Sequence, residues 1–383
     1  DVLGVGQPLV DILIQVDEEI LEELGLPKGG SEPISHKALQ ELTLQATDAM
    51  KQRTGHKPKK VQVPGGSTSN ILKGLAIFGE KVALAGKLGC DANADIFTQD
   101  MQDRGVICLT SRSQKPTGHS LCLVTPDGER TMRVYLGASI RFKATELVPQ
   151  DFAGCRLVHI EGYTLYNMTL CETAMSFGKR AKALVSFDLG SFELVRTYRE
   201  EIISLMGKYV DIVFCNEEEA LMLTGYGPER AVSVLAMGCK VAVVTCGADG
   251  CWVYSDQECY QCPAFPVTPV DTTGAGDLFA SGFLHAYLEG YSLEQCARLG
   301  ALAGAAVVGT MGAELPAKEM AALKEKINHR AFTCPDQPTS PASSSIVPAR
   351  VGRPKHSIEL GSGAIAIPGR NHFCGREERL GGM

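Results

Sequence analysis

The stretch Val270-Asp271-Thr272-Thr273-Gly274-Ala275-Gly276-Asp277, running at once into the apolar segment Leu278 to Leu288, decides how the chain is read. Two glycines at a loop-to-helix junction let the backbone come close to a ligand. The free amides of the first helical turn, with the helix dipole behind them, suit an anion such as phosphate. A carboxylate in that turn, Asp277, is costly beside phosphate unless it has a task. Accepting a proton from an attacking hydroxyl is such a task. The plainer alternative is an Asp that caps a helix after a flexible turn.

Around this junction strand and helix patterns alternate. Strands are expected over 157–161, 183–188, 212–215 and 241–246. Helical patterns lie between them, over 168–182, through Met206 and from Glu217, and a last helix starts at Gly274. This alternation predicts a three-layer α/β/α domain with a mostly parallel central sheet. Toward the start of the chain the pattern predicts strands over 1–6, 9–16 and 82–88, and helices over 18–24, 37–51, 69–78 and 94–104. Runs over 117–124 and 130–136 flank Pro126-Asp127-Gly128, a hairpin signal. Parts of 9–40 and 107–137 are therefore expected to form a small β lid on a domain covering 1–330. Residues 331–383 are rich in Pro, Ser and Gly and poor in large apolar side chains. Such a segment cannot offset its ordering entropy, so a disordered tail is expected there.

The composition is that of an ordinary globular protein: of 383 residues, 44% are hydrophobic and 21% charged. No apolar run reaches the ~18 residues that span a bilayer; the longest, Leu299 to Gly312, is rich in Gly and Ala and suits a packed helix. The net charge of −7 without a dense basic patch speaks against nucleic acid, and no membrane partner is expected. The 14 cysteines are scattered singly, which points to a reducing compartment. Cys259-Tyr260-Gln261-Cys262 has no second pair at zinc-binding spacing and reads as two thiols on a strand. A cytoplasmic protein is expected, with an organelle left open because Asp1 is not a methionine. Other phosphate motifs fail. Gly4-Val5-Gly6-Gln7-Pro8-Leu9 lacks the third glycine of a dinucleotide fingerprint, and the run from Gly74 to Val82 lacks the Lys-Ser/Thr of a Walker loop.

Asp271 to Asp277 resembles the C-terminal signature of the ribokinase-like (PfkB) sugar and nucleoside kinases. Other segments match that family in order: Gly4 to Asp11, Gly65-Gly66-Ser67-Thr68-Ser69-Asn70, Asn216-Glu217-Glu218-Glu219 and Thr245-Cys246-Gly247-Ala248-Asp249-Gly250. The resemblance covers about residues 1–328. It implies a kinase that uses ATP and Mg²⁺. Asp277 would be the base, and Gly274, Ala275 and Gly276 would form a backbone anion hole. Asn216 and Glu219 would organise Mg²⁺ through water, while Thr245 and Gly247 would line the nucleotide. Asp271 and Thr273, with Gly312 as a weaker partner, would belong to a monovalent-cation loop that suits K⁺.

On the acceptor side the resemblance implies Asp11, Gly65, Gly66, Asn70 and Glu161. His119, Arg130 and Arg133 on the hairpin read as solvated strand faces. Ribokinases carry Lys within the double-glycine motif; Gly-Gly-Ser-Thr-Ser-Asn is closer to adenosine kinases and their bacterial relatives, although Gln7 stands where those usually have Asn. Trp252 is no obvious platform for an adenine, whereas Tyr135, Tyr163 and Phe192 are candidates to stack a base. The expectation is ATP-dependent phosphorylation of a hydroxyl on a small sugar or nucleoside, adenosine first, by a monomer or homodimer. A ketose or pentose kinase, such as a fructokinase or ribokinase, is the alternative. A catalytically silent scaffold is disfavoured by the intact Asp277 and Gly274 to Gly276, and an oxidoreductase by the failed dinucleotide fingerprint.

Overall fold

Short runs of Val, Ile, Leu and Phe, too short for helices, become the strands of a central sheet. The computed structural model describes residues 1–310 and residue 315, so the expected tail over 331–383 and Gly312 lie outside the described residues. Among the described residues the sheet has nine strands. In spatial order they are Glu258–Cys262, Cys251–Ser255, Val241–Thr245, Ile212–Asn216, Leu184–Asp188, Leu157–Glu161, Val2–Val5, Val82–Leu88 and Val106–Arg112. From Val241–Thr245 onward all neighbours are parallel, and the first two strands form an antiparallel hairpin at one edge.

Successive strand residues face opposite sides, so each face of the sheet has its own core. Leu3, Val158, Val213, Ala242 and Val244 pack against the helices Met168–Arg180, Arg199–Tyr209, Glu217–Thr224 and Pro228–Leu235. Val2, Leu157, Ile212, Val241 and Val243 pack on the other side against Ser67–Phe78, Ala92–Asp103, Ala275–Leu288 and Leu293–Val308. The three layers and the mostly parallel sheet agree with the sequence reading.

A second, five-stranded sheet has the order Ser31–Pro33, Arg130–Tyr135, Gly118–Val124, Leu9–Gln15, Val61–Gly65. Its outer face is covered by the chain itself: Ile14, Leu121 and Leu123 pack against Ile20 and Leu21 of the helix Glu18–Glu23 and Leu39, Ala46 and Ala49 of the helix His36–Thr54. Its membership differs from the expected lid in two ways. Val61–Gly65 belongs to it, pairing antiparallel with Leu9–Gln15. Val106–Arg112 does not; it extends the central sheet beside Val82–Leu88 as an edge strand, with Ile107 60% exposed. The hairpin Cys251–Ser255/Glu258–Cys262 carries no Gly at its turn. Asp256 and Gln257 there adopt φ of 50° and 70° themselves, which hides the hairpin from a turn-residue search.

Candidate active site

Four neighbouring strands of the central sheet end in polar residues, Glu161, Asp188, Asn216 and Thr245, all at the carboxyl edge where open α/β sheets bind ligands. They line a cleft of about 580 Å³, together with Gly274, Gly276 and Asp277 from the junction and Asp11 and Arg130 from the small sheet.

Asp277 lies in the first turn of Ala275–Leu288. Its Oδ1 accepts from Ser67 Oγ at 2.7 Å, and its Oδ2 from Asn70 Nδ2 at 2.9 Å. Both donors sit in the first turn of Ser67–Phe78, against which Ala275–Leu288 packs. Burial raises the Asp277 carboxyl above its usual range, opposed by the bonds from Asn70 and Ser67. Gly274 takes the left-handed conformation, φ 73°, and thereby starts the helix. Intrahelical bonding begins with Leu278 N–H to Gly274 O, so the amides of Gly276 and Asp277 precede the ladder, and the space beyond Gly276 is open. Ala275 departs from the expected anion hole: its amide donates to Thr272 O at 3.3 Å.

On the small sheet, Asp11 is buried, its Oδ1 accepting from Ser120 Oγ on the adjacent strand. Burial again raises its carboxyl. A side chain at Gly65 would place its Cβ 2.0 Å from Asp11 Oδ2, so only glycine lets the two strands bring that carboxylate in. Asn70 is buried with Oδ1 unpartnered.

Two expected ligand residues are already engaged within the protein. Glu161 accepts from Gln7 N at 2.6 Å and Thr68 N at 2.8 Å, which ties the first strand to the start of Ser67–Phe78; burial lifts its carboxyl to about 7. Glu219 accepts from Asn216 N and Asn216 Nδ2, both at 3.0 Å, while Asn216 Oδ1 accepts from Glu219 N. That is a complete capping box, a role the sequence did not lead one to expect for this pair. Burial raises Glu219 to about 7 as well. Thr245 lines the cleft; Gly247 is exposed and does not.

The expected cation loop is arranged differently. Asp271 is fully buried; its Oδ1 accepts from Thr273 N at 2.9 Å, and its Oδ2 forms an ion pair with Arg130 Nη2 at 2.9 Å. Arg130 and Arg133 are thus not solvated: their side chains are 8% exposed, Arg130 paired with Asp271 and Arg133 with Glu32. His119 is likewise buried, edge-on to His36 and Tyr135. Tyr135 stacks on His36, and neither Tyr135 nor Phe192 lines the cleft, whereas Tyr163 and Tyr166 do. Trp252 sits on the edge hairpin opposite Val244.

Three site residues escaped the sequence reading. Ser67 was hidden inside a motif read for its glycines and Asn. Arg130 was masked by its place on a hairpin. Asp188 lines the cleft as the charged last residue of an apolar strand, the same signal that marked Glu161. Burial, then the neighbouring Glu219 and Asp277, push the Asp188 carboxyl well above its usual range. Positive charge brought to this wall would favour the ionised carboxylates, although among the described residues no three Asp, Glu, His or Cys side chains stand close enough to hold a metal ion by themselves.

The model of the pfkB family carbohydrate kinases matches residues 35–320. Two crystal structures are similar over nearly their whole length. A probable sugar kinase from Rhizobium etli is 32% identical, covers 85% of this chain and 98% of its own, and has a TM-score of 0.77. The adenosine kinase of Sinorhizobium meliloti is 33% identical, covers 85% and 99%, and has a TM-score of 0.75. The cytidine kinase of Thermococcus kodakarensis is 31% identical over 256 residues, 63% of this chain and 86% of that protein.

Proposed function

The chain belongs to the pfkB family of carbohydrate kinases, and from that premise we propose that it transfers the terminal phosphoryl group of ATP to a hydroxyl of a nucleoside, adenosine foremost. Membership of the family makes the fold ribokinase-like and the activity that of an ATP-dependent sugar or nucleoside kinase. No helix among the described residues is long and apolar enough to cross a membrane.

One observation carries the mechanism: the Asp277 carboxylate stands at the cleft floor with its oxygens aligned by Ser67 and Asn70. An acceptor hydroxyl that replaces Ser67 at Oδ1 meets a base already oriented, and its proton passes to that oxygen as the hydroxyl attacks. The amides of Gly276 and Asp277, ahead of the helix dipole, face the charge that develops on the transferred group. Asp11, buried on the small sheet, accepts hydroxyls of the acceptor, and Asn70 Oδ1 offers a second acceptor atom. Mg²⁺ supplies charge neutralisation of the ATP phosphates; Asp188 and Glu219 are the residues that would hold it, through water. Thr245 is proposed for the nucleotide side. Arg130 answers the charge of Asp271, which removes the electrostatic reason for a K⁺ there.

A nucleoside is favoured over a free sugar by Tyr163 and Tyr166, whose rings line the cleft and offer a base a stacking surface, and by the similarity to the Sinorhizobium enzyme over 85% of the chain. A ketose or pentose acceptor is the second reading, supported by the equal similarity to the Rhizobium sugar kinase. The helices over the small sheet leave its apolar face no need of a second copy, so a monomer is proposed. ATP consumption with adenosine, cytidine, ribose, fructose and inositol separates the two readings. Turnover on a free sugar at least tenfold above that on either nucleoside would reverse the order.

A further inference from the structure

Outside the cleft, five cations line one open cavity of about 560 Å³: Lys87, Arg112, Lys115, Arg141 and Lys143. The remaining lining residues, Ser113 and Gln114, are neutral, so no carboxylate lines the cavity in a chain whose net charge is −7. Two of the cations are anchored. Lys87 pairs with Glu146, and Arg112 donates to Gly89 O at 3.1 Å. Lys115, Arg141 and Lys143 are exposed, and their side chains have no hydrogen-bond or ion-pair partner among the described residues. Like charges gathered this closely repel one another, and a bound polyanion relieves that repulsion.

The cavity lies where the two sheets are joined. Residues 113–117, with Lys115, run from Val106–Arg112 of the central sheet to Gly118–Val124 of the small one. The chain leaves the small sheet after Arg130–Tyr135 through 136–138 and enters the short helix Ser139–Arg141. Ala138 N–H donates to Pro116 O at 2.8 Å, so the two connections touch. Lys115 and Arg141 also face an adjoining cavity of about 340 Å³ that reaches Ser35, the cap of the helix over the small sheet.

We propose that this cavity is a second binding site, taking a small polyanion with a phosphate chain, and that the ligand bridges Lys115 and Arg141 and so ties the two connections together. The phosphate chain of the donor nucleotide and a free polyphosphate share this chemistry. The site is separate from the kinase reading, because it is detected by binding and not by turnover.

The test titrates sodium tripolyphosphate, ATP and citrate into the full chain and into K115A/R141A, with calorimetry and hydrogen exchange at low salt. Both residues are exposed and outside the cleft, so kcat with saturating ATP and acceptor stays unchanged in the variant. Tripolyphosphate should bind the unaltered chain at two sites and the variant at one, the second event weakening at least tenfold and fading as salt rises. Exchange over 113–117 and 136–141 should slow only in the unaltered chain. ATP filling the second site assigns the donor nucleotide, and tripolyphosphate alone filling it assigns a free polyphosphate; either outcome upholds the site. Equal stoichiometry in both proteins, or citrate binding as tightly as tripolyphosphate, would overturn it. If the double variant melts early, Lys115→Gln and Arg141→Gln are measured singly against the same criteria.

Discussion

Ser67 Oγ and Asp277 Oδ1 lie 2.7 Å apart although 210 residues separate them in the chain. The hydroxyl occupies the place on the carboxylate that an acceptor hydroxyl needs, and in doing so aims the base before any acceptor arrives.

Replacing Asp277 with Asn keeps its size and one accepting oxygen for Ser67 or Asn70, turns the other position into an N–H donor, and removes the proton acceptor. Turnover should fall by about 10²–10⁴. Affinity for ATP should hold or tighten, because a negative charge beside the phosphates is gone. If Asp277 were only a capping residue, the change would leave activity and melting temperature nearly untouched. Full turnover in Asp277→Asn sinks the mechanism.

Ser67→Ala removes a hydrogen bond that holds the Asp277 carboxyl down, so the carboxyl rises further. The acidic limb of the kcat/KM profile should then move up by about one pH unit, the worth of one bond to a charged group. Activity at low pH suffers more than activity at high pH, where Asp277 stays ionised. A profile lowered equally at every pH would show that Ser67 contacts the acceptor without orienting the base.

The Arg130–Asp271 pair is buried at both ends. Arg130→Met leaves a buried carboxylate without its guanidinium and should cost about 3–5 kcal/mol, read from chemical denaturation. With Arg130 present, exchanging K⁺ for Na⁺ should leave kcat within about twofold, since Asp271 already has a counter-charge. A strong K⁺ requirement in the unaltered enzyme would show that a cation acts there despite the pair.

The raised acids of the cleft make the unliganded protein pH-sensitive. Glu161 and Glu219 sit near 7 in the folded chain against 4.5 as free side chains, and Asp188 is raised too. Acids raised by folding stabilise while protonated, so their contribution is complete below about 4.5 and is lost as pH climbs to about 7. Asp188→Asn takes one charge out of the group. Its melting temperature should decline less between pH 5 and pH 8 than that of the unaltered chain, by about 2 °C or more. Parallel curves would show that the acids do not share one field.

Much of this was legible in the sequence because the signals are local. The apolar run 157–161 ends in Glu161, and 82–88 lies between Lys81 and Gly89, so both strands are found where their patterns place them. The loop-to-helix junction announces itself by Gly274 and Gly276. What stayed hidden depends on pairing across the fold. Arg130 looks like a surface residue until Asp271, 141 residues away, is seen against it. Val106–Arg112 carries Ser and Thr because it is an edge strand, and nothing in its own composition says which sheet it joins. Glu219 was legible as a ligand organiser but not as the cap it forms with Asn216, in which both its oxygens are engaged.

The strand Val2–Val5, first in the chain, stands in the middle of the central sheet between Val82–Leu88 and Leu157–Glu161. During synthesis it therefore has no lasting neighbour on one side until residue 88 has been made, nor on the other until residue 161. The apolar face of Ser67–Phe78 waits longer still, for Ala275–Leu288. Such long-range closure folds slowly, and it leaves the Gly74 side of that helix, which meets Leu278 and Ser281, uncovered on the unfinished chain. A ribosome-bound fragment stopped before residue 275 should be an efficient client of chaperones, and the catalytic pair can be assembled only after the helix beginning at Ala275 has emerged.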